Sequence, residues 1–165
     1  MVSLDDDKAG WCMSLLELKI PPVLATVLFA ILMWAVYRLT PGIDLPREVR
    51  ILSFSILAIL GAAIGLAGVI SFRRVSTTVN PLNPDNCTTL VASGVFSWTR
   101  NPMYLALLLL LIGWAIYLAN LFSLLLAAVF LAYMNRFQIV PEERALEKKF
   151  GAAFLAYKQQ VRRWI

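Results

Sequence analysis

The sequence contains no histidine. That excludes a histidine-ligated zinc site and a Ser-His-Asp triad. Cysteine is nearly absent: Cys12 and Cys87 stand far apart without metal-type spacing, and read as free thiols rather than a disulfide framework. No cluster of metal-ligating residues replaces them, so no metal is expected. Charge is sparse too, at 15% of 165 residues, against roughly 25% in an ordinary soluble domain. Within that small set, basic residues outnumber acidic ones by 15 to 10, for a net charge of +5. No basic stripe with interleaved aromatics accompanies the excess, which argues against nucleic acid and fits a face lying on anionic headgroups.

What the chain has in quantity is apolar residues, 60% of the total, with a mean hydropathy of +0.74. This length implies one domain. The expected organisation is an N-terminal segment (1–19), two apolar runs (20–72), a polar loop (73–101), an apolar hairpin (102–139) and a tail (140–165). Asp5-Asp6-Asp7-Lys8 has the wrong sign for a signal-peptide n-region and reads as a solvated segment. Ser14 to Lys19 is a candidate for a short interfacial helix stopped by Pro21-Pro22.

The four runs are Ile20 to Tyr37, Ile51 to Phe72, Pro102 to Leu118 and Leu121 to Ile139. Each is long enough to cross, or nearly cross, a hydrocarbon core of about 30 Å. Only Ala119-Asn120 separates the last two, which demands a tight antiparallel hairpin. The predicted fold is therefore all-α and integral to the membrane, with four transmembrane helices and a C-terminal amphipathic cytoplasmic helix. Gly61, Gly65 and Gly68 in the second run suit close helix approach, and the Gly61/Gly65 face is a candidate for a homo-oligomer contact. A dinucleotide-binding glycine loop would need a preceding strand, which is missing. Twelve Lys and Arg fall on the side of the termini and the 73–101 loop, and three (Arg38, Arg47, Arg50) on the other. The excess places both termini in the cytoplasm, in a multi-pass protein of bacterial inner-membrane type. The Asn86-Cys87-Thr88 sequon is discounted because that loop is cytoplasmic.

Chemistry concentrates in two polar clusters at one membrane face. The loop supplies Thr88, Thr89 and Gly94 and runs through Arg100-Asn101-Pro102 into the third helix. That helix begins with proline at its first position and offers free backbone N–H groups to a carboxylate or phosphate. The fourth run ends in Asn135, Arg136 and Gln138, followed by Glu142-Glu143. Arg136 alone would read as snorkelling to headgroups, and the two acids as first-turn partners of a helix dipole. Their convergence with Phe96, Trp98 and Tyr104 favours a site. Leu146, Phe150, Phe154, Tyr157, Val161 and Trp164 give the tail an apolar face over Glu142 to Ile165, broken near Gly151. It suits an interfacial helix or a lid over the site equally well.

At these residues the chain resembles the isoprenylcysteine carboxyl methyltransferase and phospholipid methyltransferase group of membrane enzymes. The family pattern Arg-His-Pro-x-Tyr, a hydrophobic stretch, then Glu-Glu is matched by Arg100-Asn101-Pro102-Met103-Tyr104, the hairpin, and Glu142-Glu143. Leu90-Val91-x-x-Gly94-x-Phe96 and Phe150-Gly151 also match, so the likeness covers roughly 73–165. It implies S-adenosylmethionine as cofactor, held by Thr88, Thr89, Leu90, Val91, Phe96, Arg100, Asn101, Pro102, Met103, Tyr104 and Glu142. It also implies a substrate-anchoring arginine shortly before the acidic pair. Gln138 stands four positions before Glu142, and Arg136 six before, so Arg136, Gln138, Glu142 and Glu143 are the candidate catalytic set. Asn101 replaces the family histidine and cannot titrate.

The implied reaction is methyl transfer to a lipophilic or lipidated acceptor drawn from the bilayer. Such a displacement depends on alignment more than on acid–base help, and the lack of histidine favours an anionic acceptor. Two other readings stay open: a nicotinamide-dependent reductase related to membrane sterol reductases, and a non-catalytic membrane subunit that kept the pocket.

Overall fold

The computed structural model describes residues 18–74 and 90–165. Ser14 to Glu17, Cys12, Cys87, Thr88 and Thr89, all named above, fall outside these residues. All regular structure among the described residues is helical. Helix α1 spans Pro22–Leu39, α2 Arg47–Arg74, α3 Pro102–Leu118, α4 Leu121–Met134, α5 Val140–Phe150 and α6 Ala152–Gln160. A short 3-10 turn, Gly94–Ser97, precedes α3, and a π-type turn, Asn135–Ile139, joins α4 to α5.

Among the described residues, three helices are long and apolar enough to cross a membrane: α1, α2 and the continuous helix Leu121–Phe150. The third run forms a shorter apolar helix of 17 residues, about 25 Å at 1.5 Å per residue. The four expected spans thus resolve into three of spanning length and one shorter helix. Leu24, Leu28, Ile31, Leu52, Ile59, Leu66, Leu125 and Val129 lie exposed on the outside, as suits helices whose solvent is hydrocarbon rather than water.

The helices alternate in direction, so the start of α1, the end of α2, the start of α3 and the end of α4 share one end. Proline begins both α1 and α3, at Pro22 and Pro102, where a missing N–H leaves no helical bond unmade. The opposite end is tied by side chains. Asn120 caps α4 by accepting from the Ser123 N–H at 2.8 Å, and its amide donates to Thr40 Oγ1 at 2.8 Å and to the Pro41 carbonyl at 3.2 Å. Ala119 adopts φ 50°, the left-handed geometry that the two-residue connection requires. The core between α1, α3 and α4 holds Met33, Leu111, Phe130, Met134 and Ile139, with Phe29 meeting Phe130 edge to face.

The glycines of α2 face α3. A Cβ on Gly61 would lie 2.9 Å from the Ala106 carbonyl oxygen, and one on Gly65 would lie 3.3 Å from the Ala106 Cβ. The small residues of the Gly61/Gly65 face thus serve close contact between helices within the chain. Gly61→Ala should therefore destabilise the protein by about 1–3 kcal/mol through overpacking against rigid backbone. Gly65→Ala should do less, and thermal unfolding of both variants in detergent checks the order.

The tail also departs from expectation. Helix α4 does not stop before Pro141 but runs through the π-type turn into α5. Proline cannot donate to the carbonyl four residues back, and that carbonyl, on Phe137, accepts from the Leu18 N–H at 3.1 Å instead. The amphipathic helix breaks at Gly151, as read, yet ends at Gln160 rather than Ile165. Val161 is extended (φ −120°, ψ 132°), and residues 161–165 turn back over the start of α3.

Candidate active site

The start of α3, the start of α5 and the segment Val161–Ile165 meet at the shared end of the bundle. Tyr104 lies one turn into α3, buried, and its hydroxyl donates a short hydrogen bond to Glu142 Oε1. Glu143, the next residue, points into a separate set of contacts. Its Oε1 meets Arg100 Nη2 at 3.0 Å and Arg163 Nε at 3.1 Å, and its Oε2 meets Arg163 Nη2 at 2.6 Å. The Glu143 and Arg100 side chains are only 10% and 11% exposed, so this pairing is little weakened by water.

Arg100 has donors to spare. Its Nε and Nη1 are buried and find no hydrogen-bond partner among the described residues. A buried donor left unmade costs roughly 1–3 kcal/mol, more on a charged group. Such donors suit the oxygens of a carboxylate or phosphate.

The segment 161–165 is fastened to the motif by backbone and side chain alike. The Arg100 N–H donates to the Arg162 carbonyl at 3.0 Å. The Asn101 amide donates to the Arg163 carbonyl at 2.9 Å, and Thr99 Oγ1 to the same oxygen at 3.3 Å. The Trp164 indole N–H reaches Asn135 Oδ1 at 3.1 Å. In place of the family histidine, then, the Asn101 amide holds this segment.

The remaining named residues are placed as follows. Leu90 packs on Phe154, Tyr157 and Val161, the apolar face read from the tail. Val91 and Pro102 are buried. Phe96 is buried edge to face against Phe72, with ring centres 5.1 Å apart, and its carbonyl accepts from the Tyr157 hydroxyl at 2.7 Å. Burial pushes the Tyr157 hydroxyl up to about 12, against the pull of the Arg100 charge, so it remains a neutral donor at physiological pH. Gly94, at φ 65°, brings this turn against Ser71 of α2.

The aromatic cluster expected from sequence does not form as a unit. Trp98 is 81% exposed and Phe96 belongs to the core, so of the three only Tyr104 joins the acids. Gln138 is fully buried, and its amide donates to the Ile20 carbonyl at 2.9 Å, securing the approach to α1. The Arg136 guanidinium stacks 5.4 Å from the Phe137 ring centre. Sequence reasoning missed Arg163 and Thr99. Arg163 lies within the predicted amphipathic helix, and only the chain reversal after Gln160 brings it to Glu143.

Beside the acids lies an apolar groove of about 520 Å³, bounded by α1, α2 and α3. Pro22, Ala58, Gly61, Gly65, Met103 and Tyr104 are among its walls. Tyr104 therefore belongs to both features: it lines the groove, and its hydroxyl donates to Glu142.

A family model described as phospholipid methyltransferase matches residues 50–153. An uncharacterised protein of Haemophilus influenzae is 48% identical over 63 residues, which cover 38% of this chain and all of that protein. No solved structure matches the chain. The matched span takes in α2, the hairpin, both acids and the start of α6, and on that breadth the chain belongs to the phospholipid methyltransferase family.

Proposed function

We propose that this protein is an S-adenosylmethionine-dependent methyltransferase whose acceptor is a lipophilic molecule taken from the bilayer at the cytoplasmic face. The observation that carries this reading is the place of Tyr104, on the wall of an apolar groove and bonded to Glu142. A hydrocarbon chain in the groove would bring its polar end to the acids. Apolar burial of this kind contributes about 25 cal/mol per Å², enough to hold a lipid whose head makes few contacts.

The cofactor fits the residues present on two counts. The orphaned donors of Arg100 can meet its carboxylate, and Glu142 offers a second oxygen to its hydroxyl or amino groups. Leu90, Val91, Phe96, Asn101, Pro102, Met103 and Tyr104, with Thr88 and Thr89, complete the proposed cofactor set around these two anchors. S-adenosylmethionine, when bound, supplies a methyl group activated by a sulfonium. The chain's own part is alignment. The Glu143–Arg100–Arg163 cluster fixes the start of α3 against α5, the Tyr104–Glu142 bond sets the depth at which an acceptor head stops, and the helices exclude water. For an amine acceptor, Glu142 through Tyr104 is the available base. A carboxylate or thiolate acceptor needs none. Arg136, half-buried within the π-type turn, is proposed to meet the acceptor's headgroup.

The test is calorimetric titration of the purified protein in detergent with S-adenosylhomocysteine, with NADPH in parallel. Micromolar binding of the first alone supports the methyltransferase reading. Binding of NADPH alone moves the protein to the reductase relatives. Silence for both, in folded protein, leaves a membrane subunit that kept the family's framework.

A further inference from the structure

Glu143 carries two arginines, and the three side chains together hold one excess positive charge. The two arginines are not equivalent. Arg163 grips both carboxylate oxygens, Nε on Oε1 and Nη2 on Oε2, and its side chain is 35% exposed. Arg100 touches only Oε1, through one nitrogen, and its Nε and Nη1 are buried without a partner among the described residues. A guanidinium beside an unsaturated carboxylate normally closes on it as a two-bond fork. Here Arg163 bridges both oxygens, with Nη2 on Oε2 at 2.6 Å, and Arg100 makes one bond, to Oε1.

We propose that Arg163 is a positioning residue: by bridging both oxygens of Glu143 it keeps Arg100 from closing a second bond onto that carboxylate, and so leaves the Arg100 Nε and Nη1 donors for the anionic group of a ligand, a carboxylate or a phosphate. The backbone of the same segment supports the arrangement. Arg162 and Arg163 offer their carbonyls to the Arg100 N–H and the Asn101 amide, so the segment that brings Arg163 in also fixes where Arg100 starts. The inference deepens the proposed function for one anion source, the cofactor's carboxylate. For the other, a lipid-like phosphate, it stands apart from it.

The experiment uses the full chain in dodecyl maltoside. Three proteins are compared: the unaltered protein, Arg163→Ala, and Arg163→Ala combined with Glu143→Gln. Melting temperatures confirm that each is folded. Three probes are titrated: S-adenosylhomocysteine, 5′-methylthioadenosine, which lacks the carboxylate, and octyl phosphate. In Arg163→Ala the freed Glu143 oxygen should capture Arg100, and affinity for the anion should fall about tenfold, within the range for loss of a charged hydrogen bond. In the double variant the neutral amide no longer competes for the fork, and most of that affinity should return, the non-additive result expected of coupled residues.

Loss and recovery for S-adenosylhomocysteine, with 5′-methylthioadenosine indifferent throughout, identify the cofactor carboxylate as the anion. The same pattern for octyl phosphate alone identifies a phosphate. Unchanged binding of both anions in Arg163→Ala overturns the inference. So does a double variant no better than the single one, since a merely structural role for Arg163 is not rescued by altering Glu143. Failure of the unaltered protein to bind S-adenosylhomocysteine would sink the methyltransferase reading, and the octyl phosphate series would still decide the anion site. Binding of neither anion overturns both.

Discussion

Replacing Glu142 by alanine is expected to weaken S-adenosylhomocysteine binding by about 1–3 kcal/mol, the cost of leaving a buried hydrogen-bonding group without its partner, while the protein stays folded. Two consequences of the substitution add up. The cofactor loses an acceptor, and the buried Tyr104 hydroxyl loses the oxygen it donates to. Tyr104→Phe separates them. It removes the hydroxyl but leaves the carboxylate, so it should cost less in cofactor affinity and more in acceptor turnover if the phenol sets the depth of the acceptor head. Calorimetry on both variants, with melting temperatures beside them, reads the difference. Unchanged affinity in folded Glu142→Ala would remove Glu142 from the cofactor site.

The elements legible in the sequence were those governed by local chemistry. Prolines at the first turn mark the starts of α1 and α3, and Ala119-Asn120 can be nothing but a tight hairpin once the flanking runs are read as helices. Gly151 breaks the tail where its φ of 51° requires a residue without a Cβ. The apolar periodicity of the tail likewise found its partners, since Leu146, Phe150, Phe154, Tyr157 and Val161 share one cluster with Leu90.

What escaped was decided by the chain meeting itself. Pro141 looks like a helix stop, but Leu18 compensates the carbonyl it orphans, and the helix continues. The glycines of α2 show that a close approach occurs without saying to what, and Ala106 answers. Arginine positions are the least legible of all. The amphipathic pattern runs on through Arg163, whereas Val161 is extended and residues 161–165 fold back over the start of α3. The cluster's second arginine is thus supplied from beyond the amphipathic helix, not from the end of α4 where Arg136 stands.

Glu143→Ala should destabilise the protein by about 3–5 kcal/mol, the penalty for removing one partner from a buried ion pair. Arg100 and Arg163 would then face each other with no anion between them, and Arg100 has little access to water to compensate. The damage should spread along the connections that the acid organises. Release of Arg163 loosens its hold beside the Asn101 and Thr99 bonds, and through the same segment the Trp164 bond to Asn135. Glu143→Gln keeps an oxygen for Arg100 and should lose less. Arg163→Ala should also lose less, because Arg100 remains paired and Arg163 is the more exposed of the two cations. Thermal unfolding in detergent should therefore rank Glu143→Ala well below both other variants. Equal melting temperatures for all three would mean that the cluster is not what fastens residues 161–165 to the start of α3, and that the Asn101 and Trp164 bonds suffice.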